Sequence, residues 1–68
     1  MDVQLGQVYR NPRTGLALRV VPNPFFLDNP RQHRFHVELS ADGLDQWRVV
    51  GRTANLEGAA KQIEQYLG

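Results

Sequence analysis

Residues 34–39, RFHVEL, alternate strictly between polar and apolar side chains. A period of two is typical of a β-strand with one buried face and one polar face. A slip of one residue would move every apolar side chain to the wrong face, so the pattern constrains orientation as well as secondary structure. Such a strand needs neighbouring strands to pair with and a layer that covers its apolar face.

Three further segments have strand patterns. Residues 3–10 combine β-branched and aromatic residues, and they end at a turn, residues 11–15, that contains Pro12 and Gly15. Residues 16–21 form the second strand, and residues 46–53 form the fourth strand after the Asp42-Gly43 turn. Residues 22–30 form a long connection in which three prolines exclude a regular central strand. Strands joined in this order pair as an antiparallel meander.

The last segment has the spacing of an amphipathic helix. Asn55 is a typical N-cap, and Glu57 follows in the first turn, where the helix dipole favours a negative charge. One helix can cover one face of the sheet, so residues 1–68 are predicted to be a single two-layer α+β domain of order ββββα. The apolar side chains at helical spacing are Leu56, Ala59, Ala60, Ile63 and Leu67.

The composition limits both stability and partners. The 68 residues include no cysteine, and the net charge is only +1. The chain is therefore near the lower size limit for folding alone, without disulfides to help it. No apolar run reaches the roughly 18 residues of a membrane span, and no signal-peptide core is visible, so we expect a cytoplasmic protein without membrane contact.

Strand alternation assigns side chains to two faces of the sheet, although a one-residue bulge would move part of each set. The face under the helix is expected to hold Leu16, Leu18, Val20, Phe35, Val37, Leu39, Trp47 and Val49. The other face is expected to hold Ala17, Arg19, Val21, Arg34, His36, Glu38, Arg48, Val50 and Arg52.

This second face concentrates four arginines and a histidine against one carboxylate. It could be a solvated face whose arginines pair with Glu38, a basic platform for nucleic acid, or a contact for an acidic protein. An arginine side chain can donate two hydrogen bonds at once to a phosphate or to the edge of a guanine base, which favours the nucleic-acid hypothesis. The candidate nucleic-acid-binding residues are Arg19, Arg34, His36, Arg48 and Arg52.

Phe25, Phe26 and Leu27 lie in the proline-rich connection. In one interpretation the connection folds over an open end of the sheet, and at least one phenylalanine fills the core. In the other, the prolines stiffen a protruding loop that presents an aromatic contact to a protein partner. Both hold together if one ring points inward and the other outward.

The sequence offers little for catalysis or for a metal. His33 and His36 are three residues apart and point to opposite faces of an extended strand. Ser40, His36 and Asp42 flank one hairpin turn, a poor geometry for a catalytic triad, and Asp42 and Asp45 are expected to cap the amides of that turn. We therefore expect no enzyme, no cofactor and no metal site.

Residues 34–67, RFHVELSADGLDQWRVVGRTANLEGAAKQIEQYL, resemble the three-stranded DNA-binding domains of plant ethylene-response factors and of the arm-binding ends of tyrosine integrases. The matching positions are 35–37, 51–53 and 57–60. The resemblance implies that Arg34, Arg48 and Arg52 read DNA from the sheet. This chain departs from the pattern, because the family is more basic and lacks an N-terminal hairpin. The opening GQVYRNPRTGLALRVV also resembles small SH3-like barrels of phage-type proteins.

The sequence therefore supports two functional hypotheses. The first is a small nucleic-acid-binding accessory protein of a mobile element. The alternative is a protein-binding inhibitor or adaptor, or a self-associating module, that uses the loop Phe25-Phe26-Leu27. The sequence indicates no small-molecule substrate.

Overall fold

The computed structural model describes residues 1–29 and 31–67. Four strands form one antiparallel sheet in the order β1-β2-β3-β4, and a single C-terminal helix follows. This confirms the predicted α+β arrangement. The elements are β1 Tyr9–Arg10, β2 Ala17–Pro22, β3 Phe35–Ser40, β4 Arg48–Thr53 and α1 Leu56–Leu67.

The first strand is much shorter than predicted. Instead of a strand through residues 3–10, the chain turns at Gly6, whose φ is +79°, and only two residues pair with β2. The Gly6 amide donates to the Val20 carbonyl at 2.9 Å, so the segment still lies against the sheet. Val3 is buried and joins the core from this irregular segment.

Both predicted hairpin turns are confirmed, and each uses a glycine with positive φ. Gly15 has φ +76° and Gly43 has φ +74°. Asn11 is buried at the first turn, where its side-chain oxygen accepts from the Arg13 amide at 2.8 Å and its amide donates to the Tyr66 carbonyl at 2.7 Å. This side chain therefore ties the first hairpin to the end of α1.

The helix begins as predicted, because the Asn55 side chain accepts from the Gly58 amide at 2.7 Å. It packs on one face of β2, β3 and β4. The chain passes close to α1 at Gly51, where an added Cβ would meet the Gln62 side chain. The core side chains are Val3, Leu18, Val20, Val37, Leu39, Ala59, Ala60 and Ile63, with Leu16, Phe35 and Val50 partly buried against them.

Candidate functional site

The sheet face opposite α1, called here the open face, is defined by three rows of paired residues. Antiparallel partners share a face, so the register of β2, β3 and β4 assigns each side chain. The rows are Ala17 with Ser40; Arg19 with Glu38 and Val49; and Val21 with His36 and Arg52. Arg10 of β1 extends the first row, because it pairs with Ala17.

A β-bulge in β4 changes the predicted assignment of that strand. The register shifts between Val37 and Glu38, so Val37 pairs with Gly51 but Glu38 pairs with Val49. Val50 is the extra residue, and every residue before it changes face. Strict alternation was therefore wrong for four residues: Arg48 and Val50 lie on the helix side, and Trp47 and Val49 lie on the open face.

The arginine that pairs with Glu38 also contacts the displaced tryptophan. Arg19 Nε donates to Glu38 Oε1 at 2.7 Å, and both side chains are about one-third or less exposed. The Arg19 guanidinium lies 4.1 Å from the centroid of the Trp47 ring. Arg19 therefore agrees with the interpretation of a solvated face, because Glu38 neutralises its charge. Its guanidinium also contacts the Trp47 ring and helps to position it.

Arg34 and Arg52 differ from Arg19 because neither has a carboxylate within salt-bridge distance in the described residues. Arg34, directly before β3, lies over the Phe26 ring with its guanidinium 5.1 Å from the centroid. Arg52 is exposed and pairs across the sheet with half-buried His36. Arg52 brings a guanidinium to the open face beside His36, and alternation along the extended chain puts Arg34 on the same side as His36.

One end of the open face is covered. Ala17 is fully buried, and a Cβ on Gly43 would meet its methyl group and the Arg10 guanidinium. The β3–β4 turn therefore folds over this end, and Arg10 donates to the Gly15 carbonyl at 3.2 Å. The accessible part of the face begins beyond Ala17.

The β3–β4 turn is held by Ser40 and Asp42. The Ser40 hydroxyl donates to Asp42 at 2.7 Å and accepts from the Gly43 amide at 2.9 Å. Asp42 Oδ1 also accepts from the Leu44 amide at 2.9 Å, which confirms that Asp42 caps the turn. The same expectation was wrong for Asp45, which makes no side-chain hydrogen bond to the described residues. The Leu44 amide and, next, the Ser40 hydroxyl hold the pKa of the Asp42 carboxyl below its ordinary value.

A cleft of about 530 Å³ opens beside this turn. Its apolar walls come from Leu16, Leu39 and Trp47. Alternation predicted Trp47 in the core and not at a site. Gly51, a glycine inside the strand pattern after Val49 and Val50, is a signal that could have indicated the bulge and so the other face for Trp47. The polar side chains that line the cleft are Asp42, Gln46 and Arg48.

The connection between β2 and β3 is organised by Asn23, which is buried. Its side-chain amide donates to the His33 carbonyl at 2.8 Å and to Gln32 at 3.1 Å, and its oxygen accepts from the Phe25 amide at 2.9 Å. Pro30, one of the three prolines that were expected to stiffen this loop, lies outside the described residues.

The apolar side chains of this loop do not fill the core, as one interpretation required. Phe25 is 59% exposed and Leu27 is 90% exposed. Phe26 is half-buried, but its ring lies against Arg34 and is not part of the core. The loop therefore protrudes, with one ring against Arg34 and two apolar side chains in solvent.

The described residues contain no group of three or more metal-ligating side chains. Within residues 1–29 and 31–67, no helix has the length and apolar character needed to cross a bilayer. Searches against protein-family models, curated proteins and solved structures found no match to this chain.

Proposed function

We propose that this protein is a non-catalytic binding module whose open face binds nucleic acid. The observation that carries the proposal is the concentration of positive and aromatic groups around one carboxylate, which is already paired. Arg34, His36 and Arg52 supply cationic or titratable groups, while Phe26 and Trp47 supply rings. The basic side chains attract the phosphates of a nucleic acid, and the aromatic rings can stack on its bases, because every base has a π-face.

The resemblance to sheet-based DNA-binding domains supports this proposal in part. Of the three arginines that it implies, Arg52 lies on the open face and Arg48 lies on the helix side. Arg34 precedes β3 and follows the same side as His36 by alternation. The proposed nucleic-acid site is therefore Arg34, His36 and Arg52, with Arg19 positioning Trp47. An accessory role in a mobile element is part of the same proposal and rests on the resemblance alone.

The test compares variants of basic residues at the open face and on the exposed side of α1. We expect Arg52→Ala and Arg34→Ala to weaken binding to labelled oligonucleotides, because each removes a phosphate contact. Lys61→Ala, on the exposed side of α1, is the matched control because it removes the same charge elsewhere.

Salt dependence provides a second readout. Removing one arginine that binds a phosphate should reduce the slope of log affinity against log salt by about 0.7 for a single strand. Arg52→Ala should therefore flatten the slope relative to the wild-type protein and to Lys61→Ala. Equal weakening by Arg34→Ala, Arg52→Ala and Lys61→Ala would indicate nonspecific attraction and contradict an open-face site.

A protein contact through the protruding loop is a second candidate function. The observation that favours it is the exposure of Phe25 and Leu27 on a loop that Asn23 holds in a fixed shape. An ordered loop loses less conformational entropy on binding than a flexible one. Phe26 lies against Arg34 and supports the loop from the side of the sheet.

Sedimentation at several concentrations tests the self-associating form of this second function. Leu27→Ser should abolish any dimer of the wild-type protein, while Leu44→Ser, the same change at another exposed leucine, should preserve it. A wild-type protein that stays monomeric would exclude the dimer. Pull-down experiments with the same pair of variants would then test for a different protein partner.

A further inference from the structure

The cleft beside Trp47 has the size and lining of a site for one small planar group. Its volume of about 530 Å³ lies within the roughly 300–1,000 Å³ that is usual for ligand pockets. Leu16 and Leu39 give it apolar walls, and Trp47 adds an aromatic one. An aromatic ligand would bury its faces there and keep its polar edge toward the rim.

Trp47 is prepared for stacking because its ring is already held in place. The Arg19 guanidinium lies 4.1 Å from its centroid, and Glu38 in turn holds Arg19. The indole N–H donates to the Leu44 carbonyl at 3.1 Å, which limits rotation of the side chain. The ring therefore loses little conformational freedom when a ligand stacks against it.

The rim of the cleft supplies a hydrogen-bond acceptor. Asp42 lines it and is exposed, and its Oδ1 is occupied by the Leu44 amide and the Ser40 hydroxyl. Among the described residues, no hydrogen bond reaches Oδ2, so this oxygen can accept from an N–H of a ligand. Ionised aspartate accepts well from the exocyclic amine of cytosine, whereas thymine presents a carbonyl at the same position.

We propose that this cleft takes one unpaired base of a single-stranded nucleic acid, which stacks on Trp47 while Asp42 accepts from its exocyclic amine. The inference rests on the proposed function, since Trp47 contacts Arg19 of the open face and also lines the cleft. It also selects the single strand, because the bases of a duplex are stacked on each other and paired along the edge that Asp42 would contact.

The emission of Trp47 tests the proposal directly, because the chain has one tryptophan. The titrants are oligo(dC), oligo(dT) and a duplex of the same length, all at low salt. We expect saturable quenching by oligo(dC), weaker binding of oligo(dT), and little quenching by the duplex. Titration with RNA oligonucleotides of the same length shows whether the protein binds ribose and deoxyribose strands differently.

Variants separate stacking from hydrogen bonding, with labelled oligonucleotides as the common readout. Trp47→Leu should weaken oligo(dC) binding at least about fivefold, the lower end of what stacking one base contributes. Trp47→Phe retains a ring and should keep most of the affinity. Asp42→Asn keeps the oxygen that caps the turn, and it should remove the preference for oligo(dC) over oligo(dT).

Three results would overturn the cleft proposal. Oligonucleotide binding that depends on Arg52 but leaves the emission of Trp47 unchanged would refute the cleft site and leave the open-face function standing. Quenching with equal affinity for oligo(dC) and oligo(dT) would refute the role of Asp42. No binding of any oligonucleotide would refute the proposed function itself and, with it, the cleft site.

Discussion

Single residues fix the parts of this molecule that have no regular structure. Asn23 gives the loop after β2 its shape with one buried side chain, and Asn11 does the same for the first hairpin turn and the end of α1. Both use the tendency of asparagine to imitate a backbone turn. In so small a domain, such hydrogen bonds replace packing that a larger core would provide.

Replacing Asn23 should therefore destabilise the whole domain. Asn23→Ala leaves the Phe25 amide and the His33 carbonyl without their partner, and we expect the free energy of unfolding to fall by about 2 kcal/mol. Asn29→Ala is the control, because among the described residues that exposed side chain accepts only from the Arg31 amide. Urea denaturation measures both, and equal losses of stability would contradict the role given to Asn23.

The Asp42 carboxylate should make stability depend on pH. Its pKa is lower in the folded state than in the unfolded chain, so its contribution is present above the unfolded pKa and disappears as pH falls through the folded one. Asp42→Asn should therefore be less stable than wild type at neutral pH, with the gap closing in acid.

Unfolding curves at a series of pH values measure this gap. Asp45→Asn is the matched control, since Asp45 is exposed and makes no hydrogen bond within the described chain. A gap between wild type and Asp42→Asn that stays constant from neutral to acid pH would contradict the assigned hydrogen bonds.

At the scale of elements, the bulge in β4 decides which side chains the open face presents. It moves Trp47 out from under α1 and carries Arg48 to the other side, so a basic face becomes a mixed basic and aromatic one. Bulges occur often where a sheet must aim a side chain at a site. Gly51 belongs to the same feature, because its lack of a Cβ admits α1 beside the bulge.

Threonine substitutions at two adjacent valines, Val49 and Val50, test whether the bulge lies where the structure places it. Threonine keeps the shape and the β-branch of valine, so the difference between the variants reports burial of the hydroxyl group. We expect Val50→Thr to lower the free energy of unfolding by about 1–2 kcal/mol, because Val50 packs against the core. Val49→Thr should change it by less than about 0.5 kcal/mol.

Thermal or urea unfolding distinguishes the two valine variants. Strict alternation along β4 would reverse their order, with Val49 buried and Val50 exposed. A larger decrease for Val49→Thr than for Val50→Thr would therefore contradict the bulge and return Trp47 to the core.

The sequence could predict the elements of this fold because their patterns are local. Period-two alternation identified β2 and β3, and the helical spacing after Asn55 identified α1. The end of the first strand and the faces of β4 could not be obtained that way. Both depend on a single extra turn or residue, at Gly6 and Val50, whose position is set by packing and not by local preference.

The candidate site was predictable only in part, for the same reason. Arg19, His36 and Arg52 lie where alternation placed them, because β2 and the last part of β4 keep their register. Because of the bulge, Arg48 lies on the helix side and Trp47 on the open face, the reverse of what alternation predicted. The loop residues Phe25 and Leu27 could be assigned to solvent only once the hydrogen bonds of Asn23 were seen.

As a whole, the molecule is a thin two-layer domain, with principal extents of 37 × 25 × 16 Å. One helix covers one side of the sheet, and the remaining core is small. The open face therefore has two parts, because Arg19 and Glu38 pair with each other while Arg34, His36 and Arg52 are the residues that we propose to bind nucleic acid.

The most direct test of this account is a map of amide chemical-shift changes when a single-stranded oligonucleotide is added to the labelled protein. We expect the largest changes at His36, Val49 and Arg52 and around Trp47, with Lys61 and Gln65 on α1 unchanged. Shifts concentrated on α1, or none anywhere at millimolar oligonucleotide, would contradict the assignment of the open face as a nucleic-acid site.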